Sequence, residues 1–193
     1  MTVLLPVVAG LSGVVIGAWL TGRREASSRR LAYIEKQLKE FYSPMLGLRN
    51  EILMRSDLRV RIHDTANTVW RSLCADAREV SIDALGKLSR TRSSEFGKIT
   101  EYDNEQLRTD LLPAFKQMAK LFRDNYWLAD PDTTKYYKSL VEFVELWDRW
   151  LAKAIPPEVM TELQRDEQNL EPYYIHLQSK HEALRAAIQR GGE

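Results

Sequence analysis

The chain contains 193 residues, of which 44% are hydrophobic and 28% are charged. These proportions are typical of a globular chain and exclude an intrinsically disordered one. The net charge of +1 argues against bulk electrostatic attraction to nucleic acid, so no nucleic acid partner is expected. With one cysteine, Cys74, the chain cannot form an internal disulfide, which fits a reducing compartment.

The charge is distributed unevenly along the chain. Residues 21–98 contain 16 Lys/Arg and 10 Asp/Glu, a net charge of +6, whereas residues 99–193 contain 12 and 17, a net charge of −5. One interpretation is that the basic half faces an anionic lipid leaflet. The other is that the two halves complement each other inside the fold.

An uncharged apolar segment, VLLPVVAGLSGVVIGAWL, runs from Val3 to Leu20 and includes one proline, Pro6. As a helix these residues would extend about 27 Å, close to the thickness of the hydrocarbon core of a bilayer. Trp19 stands at the end, where an interfacial aromatic side chain is typical. We therefore predict a transmembrane anchor over residues 1–22, with the lipid bilayer as a partner.

The flanks of the apolar segment predict its orientation. Four basic residues follow it closely: Arg23, Arg24, Arg29 and Arg30. No positive charge precedes the segment and no small-residue cleavage site is evident, which argues against a cleaved signal peptide. The positive-inside rule then places the N-terminus outside and residues 23–193 in the cytoplasm.

Small residues recur every four positions within the predicted anchor, at Ala9, Gly13 and Gly17. Such a stripe allows two membrane helices to approach closely, so one hypothesis is a homo-oligomer formed through the anchor helix. The alternative is a simple anchor, because glycine is frequent in membrane helices.

The remainder of the chain is predicted to be helical almost throughout. Apolar residues spaced by three and four, from Ile34 to Ile52, indicate a helix over residues 28–55, and a weaker pattern from Leu58 indicates a second helix to about residue 76. Residues 77–100 lose this period and contain two glycines, which predicts a long connection with one short helix near residues 81–88.

Three further helices are predicted in the second half of the chain. Asp103 is interpreted as an N-cap, and Asp130 followed by Pro131 as the start of the next helix. Pro156 and Pro157 end that helix and begin the last one, which has leucines every seven residues and ends near residue 189. The predicted fold is all-α, with an N-terminal transmembrane helix followed by a roughly five-helix antiparallel bundle.

Three prolines fall within these helical patterns, each beside aromatic residues. Pro44 follows Tyr42, Pro113 precedes Phe115, and Pro172 precedes Tyr173. An interior proline costs about 3 kcal/mol and leaves a backbone carbonyl without its partner. One interpretation is that the prolines kink the helices and curve the bundle. The other is that the kinks meet at one level and open an aromatic-lined pocket.

The sequence contains no recognisable catalytic motif. Walker A, GxGxxG, GxSxG, HExxH and paired CxxC patterns are all absent, so no catalytic, cofactor-binding or metal-binding residue is assigned. His176 and His181 are five residues apart and fall on different faces of a helix, which argues against a metal pair. His181 is interpreted as a histidine at the edge of the core.

Several strings carry a resemblance to a known group: FYSPM at residues 41–45, EYDN at 101–104, NYWLA at 125–129 and VELWDRW at 144–150. Together with the N-terminal segment, they make the chain resemble a family of bacterial proteins with one membrane helix and a helical body, for which no activity is assigned. The resemblance implies the bacterial inner membrane as the location. It implies no cofactor and no catalytic residue.

Three functional hypotheses follow from the sequence. We favour a membrane-tethered interaction or scaffold protein that binds an unidentified protein partner through helix faces. The alternative is a ligand-binding sensor or effector in bacterial stress or phage defence, with its site in a kinked bundle. The third hypothesis is an enzyme with an unfamiliar site, which a buried cluster of charged residues around a cavity would favour.

Overall fold

The structure is a computed structural model that describes the backbone of residues 4–163 and 167–191 and the side chains of residues 21–163 and 169–191. Within these residues all regular secondary structure is helical, so the predicted all-α class is confirmed. The helical bundle is present as well.

The first helical run is much longer than the sequence suggested. It consists of α1 (Leu4–Gln37), one π-helical turn (Leu38–Tyr42) and α2 (Ser43–Val80). The predicted break after residue 55 is wrong, because α2 runs through this position without interruption. The predicted anchor segment and the helix predicted to follow it therefore belong to one helical run.

A single residue, Ser81, separates this run from the next. Its backbone is extended, with φ −172° and ψ 163°, and its Oγ accepts a hydrogen bond from the N–H of Ala84 at 3.0 Å. This N-cap starts α3 (Ile82–Gln106), so the predicted connection over residues 77–100 is wrong. Gly86 and Gly97 each cost about 1 kcal/mol relative to alanine but do not end the helix.

The second run continues from α3 through a π-helical turn (Leu107–Leu111) into α4 (Leu112–Asp124). Asp103 lies inside α3, so its prediction as an N-cap is also wrong. Its carboxylate instead contacts His63 of α2, with Oδ2 at 2.7 Å from Nε2.

Each π-helical turn ends two residues before a proline inside a helical run. Ser43, which precedes Pro44, donates its N–H to the carbonyl of Leu38, five residues earlier; Leu112, which precedes Pro113, donates to Leu107 in the same way. Proline lacks an N–H, and its ring clashes with the carbonyl four residues earlier. The extra residue in a π turn relieves that clash, so both runs continue past their prolines.

Shorter elements complete the chain. In order they are a 3₁₀ turn (Tyr126–Leu128), α5 (Pro131–Thr134), α6 (Tyr137–Leu151), α7 (Pro157–Glu162), a 3₁₀ turn (Glu167–Leu170) and α8 (Glu171–Gln189). The predicted helix starts at Pro131 and Pro157 are confirmed. The predicted single helix between them is wrong, because it is divided after Thr134 and its second part, α6, ends at Leu151, before Pro156. The predicted last helix is divided, and Pro172 lies in the first turn of α8, where proline is tolerated.

The core lies where the end of α1, the first π-helical turn and the start of α2 pack against α4, α6 and α8. Aromatic rings pack together within it: Phe41 and Phe122 meet edge to face at 5.1 Å, and Phe115 and Phe143 lie 4.7 Å apart. Such contacts stabilise a core beyond the area that they bury.

Among the residues whose side chains are described, no helix is long and apolar enough to cross a membrane. The predicted anchor from Val3 to Leu20, including Pro6 and Trp19, lies outside that set. The predicted association stripe of Ala9, Gly13 and Gly17 lies outside it too.

Candidate functional site

A two-helix arm, residues 53–106, extends beyond the core. The buried side chains of α2 are Met45, Leu46 and Ile52, which all precede the arm. α3 contains no buried residue and packs chiefly against α2. Its 25 residues make a helix about 37 Å long.

A few specific contacts hold the two helices of the arm together. The rings of Trp70 and Phe96 lie 4.9 Å apart near the middle, and the contact of His63 with Asp103 lies nearer the core. With so little apolar surface buried between its helices, the arm is the part of the described fold that opens most easily.

An apolar stripe follows the arm on the α2 side and consists of Met54, Leu58, Ile62 and Val69. At 100° per residue these positions fall within about 80° of the helix circumference. Their side chains are between 41% and 66% exposed. Single exposed apolar residues are ordinary, but several on one face of a helix are typical of an interaction surface, although here the exposed Thr65 lies between Ile62 and Val69.

A second feature is a buried polar network around the first π-helical turn. Oη of Tyr42 lies 2.9 Å from Oγ1 of Thr133, which in turn lies 2.8 Å from Nε2 of His176. The backbone N–H of Asp130 donates to Oη of Tyr42 at 3.2 Å. Tyr42 and Thr133 are fully buried, so these hydroxyls depend on one another for hydrogen bonds.

The direction of each hydrogen bond in the network can be assigned. Oη of Tyr42 accepts from Asp130, and Oγ1 of Thr133 is the acceptor within reach of the Tyr42 hydroxyl among the described residues, so we assign the hydrogen of Tyr42 to Thr133. The hydroxyl of Thr133 then donates to Nε2 of His176. This order requires a neutral His176 that carries its proton on Nδ1.

Two further side chains extend the network to the surface. Nε2 of Gln37 donates to the carbonyl of Leu128 at 2.7 Å and to Oδ1 of Asp130 at 3.2 Å. Nζ of Lys180 lies 2.7 Å from Oδ2 of Asp130. Asp130 therefore begins α5 as predicted, but its side chain bridges α1 and α8 and does not cap the helix.

The surroundings shift the pKa values of two groups in the network, Tyr42 and His176. Burial raises the pKa of Tyr42, and the hydrogen bond with Thr133 partly offsets that rise. Burial lowers the pKa of His176, and the nearby charges of Lys180 and Lys135 lower it further, against the opposing effect of Asp132 and Asp130. Both shifts favour the neutral forms that the network requires.

The network is suited to holding structure together. Because Thr133 is fully buried, its hydroxyl is not accessible to a substrate as a nucleophile. The hydrogen bonds join the segment after α4 to the first π-helical turn and to α8. We find no group of three or more His, Cys, Asp or Glu placed to hold a metal within the described part of the chain.

The structure places three of the aromatic residues singled out from the sequence in one core. Tyr42, Phe115 and Tyr173 are buried in it. The hydroxyl of Tyr173 has no hydrogen-bond partner among the described residues, and burial raises its pKa well above the ordinary value. Pro44 and Pro113 lie just after the π-helical turns and Pro172 at the start of α8, so the three prolines do not share one structural role.

The basic residues that follow the predicted anchor, Arg23, Arg24, Arg29 and Arg30, lie on the exposed part of α1. Sequence reasoning missed Gln37, Thr133 and Lys180 and gave His176 no role in a network. One signal was available for Gln37, which is a polar residue three positions after Ile34 on an apolar seam. The other three become neighbours only through the tertiary fold.

Comparison with protein-family models, with curated proteins and with solved structures finds no match for this chain.

Proposed function

We propose that the protein is a membrane-tethered helical interaction protein, or scaffold, whose arm pairs with the arm of a second copy. The observation that carries this proposal is the exposed apolar stripe on a long helix outside the core. A narrow stripe of this kind suits another helix, because helices bury such stripes by packing side by side.

The charges beside the stripe favour a second copy of the chain as the partner. Asp57, Arg61 and Asp64 lie along one edge of the stripe, so both signs of charge are present on one helix. Two antiparallel copies can place opposite charges next to each other, as at the edges of a coiled coil. Pairing would also remove the apolar side chains from water at about 25 cal/mol per Å².

The predicted anchor would hold two copies of the chain in the same membrane. α1 forms one helix from Leu4 to Gln37, and its exposed arginines follow the apolar segment directly. This continuity supports a tether to the inner membrane with the bulk of the chain in the cytoplasm. Confinement to a membrane raises the effective concentration of two copies, so a modest interface suffices. The stripe of Ala9, Gly13 and Gly17 offers a second contact between the same copies.

A matched pair of substitutions tests the role of the arm. Leu58 is 50% exposed on the stripe, and Val60 is 54% exposed on another face of the same helix. We expect the full chain in mild detergent to sediment as a dimer, Leu58→Glu to weaken that dimer, and Val60→Glu to leave it unchanged. A wild type that sediments as a monomer would contradict the proposal. Equal effects of the two substitutions would contradict it as well.

The tether is tested separately from the arm. A carbonate wash should leave the protein in the membrane fraction, and a periplasmic reporter fused to the C-terminus should stay inactive. Release by carbonate would overturn the tether without affecting the sedimentation result, and an active periplasmic reporter would overturn the orientation.

A further inference from the structure

A groove of about 760 Å³ lies where the end of α3 and the second π-helical turn meet the C-terminal end of α6. This volume is in the range of small-molecule sites, about 300 to 1,000 Å³. The residues that line the groove include Leu107, Arg108, Trp150, Lys153, Ile155 and Pro156. No Asp or Glu lines the groove, although residues 99–193 have a net charge of −5.

The two cations in the groove differ from their neighbours in having no carboxylate. Close by in the chain, Arg149 pairs with Glu145 at 2.7 Å and Lys116 with Asp148 at 2.6 Å. Within the described part of the chain, neither Arg108 nor Lys153 makes an ion pair. Both side chains are exposed and line the same groove, so both are available to an anion bound there.

Lys153 also occupies an unusual backbone position. Its φ is 55°, in the left-handed region, at the residue that follows the last turn of α6. The N–H of Ala154 donates to the carbonyl of Arg149 at 2.8 Å, and that of Lys153 to Trp150 at 2.9 Å, which is the Schellman pattern. Glycine is the usual residue there, because a side chain adds strain. A lysine at this position places a cation in the groove at a cost in stability, as strained residues at binding sites do.

We propose that this groove binds a small organic anion, a carboxylate or phosphate attached to an apolar group. Arg108 and Lys153 would hold the anionic group, and the apolar lining around Leu107 and Ile155 would hold the remainder. Charge-assisted hydrogen bonds from two cations favour an anion over a neutral or cationic analogue. This site does not depend on pairing of the arm, and it would give the alternative sensor function a ligand.

The test uses two ligands that share a ring and differ in charge. Indole-3-acetate and tryptamine are titrated calorimetrically into the full chain in an uncharged detergent, with detergent alone as the blank. Octanoate and phenyl phosphate extend the test to an aliphatic carboxylate and to a phosphate. We expect saturable binding of at least one of the three anions and none of tryptamine.

Three variants identify the site. Arg108→Gln and Lys153→Gly should each weaken anion binding about tenfold or more. Lys138→Gln, which removes an exposed cation paired with Glu142 outside the groove, should leave binding unchanged. Circular dichroism checks that each variant is folded, and Lys153→Gly relieves backbone strain, so loss of binding there cannot be attributed to unfolding.

Three outcomes would overturn the proposal. One is that none of the anions binds at concentrations up to about 10 mM, which would detect even millimolar dissociation constants. Another is that tryptamine binds as tightly as indole-3-acetate. The third is that Lys138→Gln weakens binding as much as the groove variants do.

Discussion

The hydroxyl of Tyr42 lies 2.9 Å from that of Thr133, although the two residues are 91 positions apart in the chain. Both side chains are fully buried, so neither hydroxyl can form a hydrogen bond with water. Each therefore depends on the other for a hydrogen-bond partner. The contact joins the first π-helical turn to α5, and through Oγ1 of Thr133 it reaches His176 on α8. Three segments of the bundle are thus aligned by one chain of polar groups.

Two buried tyrosines should respond in opposite ways to the loss of their hydroxyls. Tyr42→Phe should lower the free energy of unfolding by about 1–2 kcal/mol, because Asp130 and Thr133 each lose a buried partner. Tyr173→Phe should raise it by about 1 kcal/mol, because the hydroxyl that is removed has no partner among the described residues. Denaturant titration of both variants measures the two values. Changes of the same sign would show that the network is assigned incorrectly.

Stability should fall as the pH is lowered from about 7 towards 5. The folded chain lowers the pKa of His176, so on acidification the unfolded chain takes up a proton first, near pH 6.5, and is favoured. Protonation puts a second N–H on the ring where Thr133 donates, and one hydrogen bond of the network is lost. This contribution to stability is complete above the ordinary histidine pKa and is lost below it.

Substitution of the histidines tests this assignment. His176→Gln keeps an acceptor for Thr133 but does not titrate, so the slope of stability against pH between 7 and 5 should decrease. Burial and Arg185 also lower the pKa of His181, so His181→Gln should remove a separate part of the slope. If His176→Gln retained the full slope of the wild type, the network would not be responsible.

Replacement of Lys153 should stabilise or destabilise the fold according to the backbone preference of the new residue. Lys153→Gly should raise the free energy of unfolding by about 1 kcal/mol, because glycine adopts a φ of 55° without strain. Lys153→Val should lower it, because a β-branched residue is disfavoured in this region. Thermal unfolding distinguishes the two, and equal melting temperatures would argue against a left-handed backbone at this position.

The arm should open independently of the core. Trp70→Ala removes the ring contact with Phe96 and should lower the free energy of local opening by about 2 kcal/mol. Amide hydrogen exchange should then accelerate in residues 56–106 and remain unchanged in α6 and α8. Trp127→Ala, which removes an exposed ring near Tyr33, is the matched control and should leave the arm protected. Faster exchange throughout the chain would show that the arm and the core unfold together.

The sequence by itself determined the helical class and several boundaries. Three- and four-residue spacing from Ile34 to Ile52 predicted a buried seam, and the start of α5 at Pro131 followed from the preference of proline for a first helical turn. These features are local, since they depend on backbone geometry and on periodicity within one segment.

The tertiary structure decided the rest. Two glycines argued for a connection after residue 77, but the N-cap at Ser81 and packing against α2 keep residues 82–106 helical. The network of Tyr42, Thr133 and His176 and the groove beside Lys153 each combine segments that are distant in the chain. No periodicity within one segment encodes such neighbours, because their proximity depends on how the helical runs pack together and not on the conformation of either run alone.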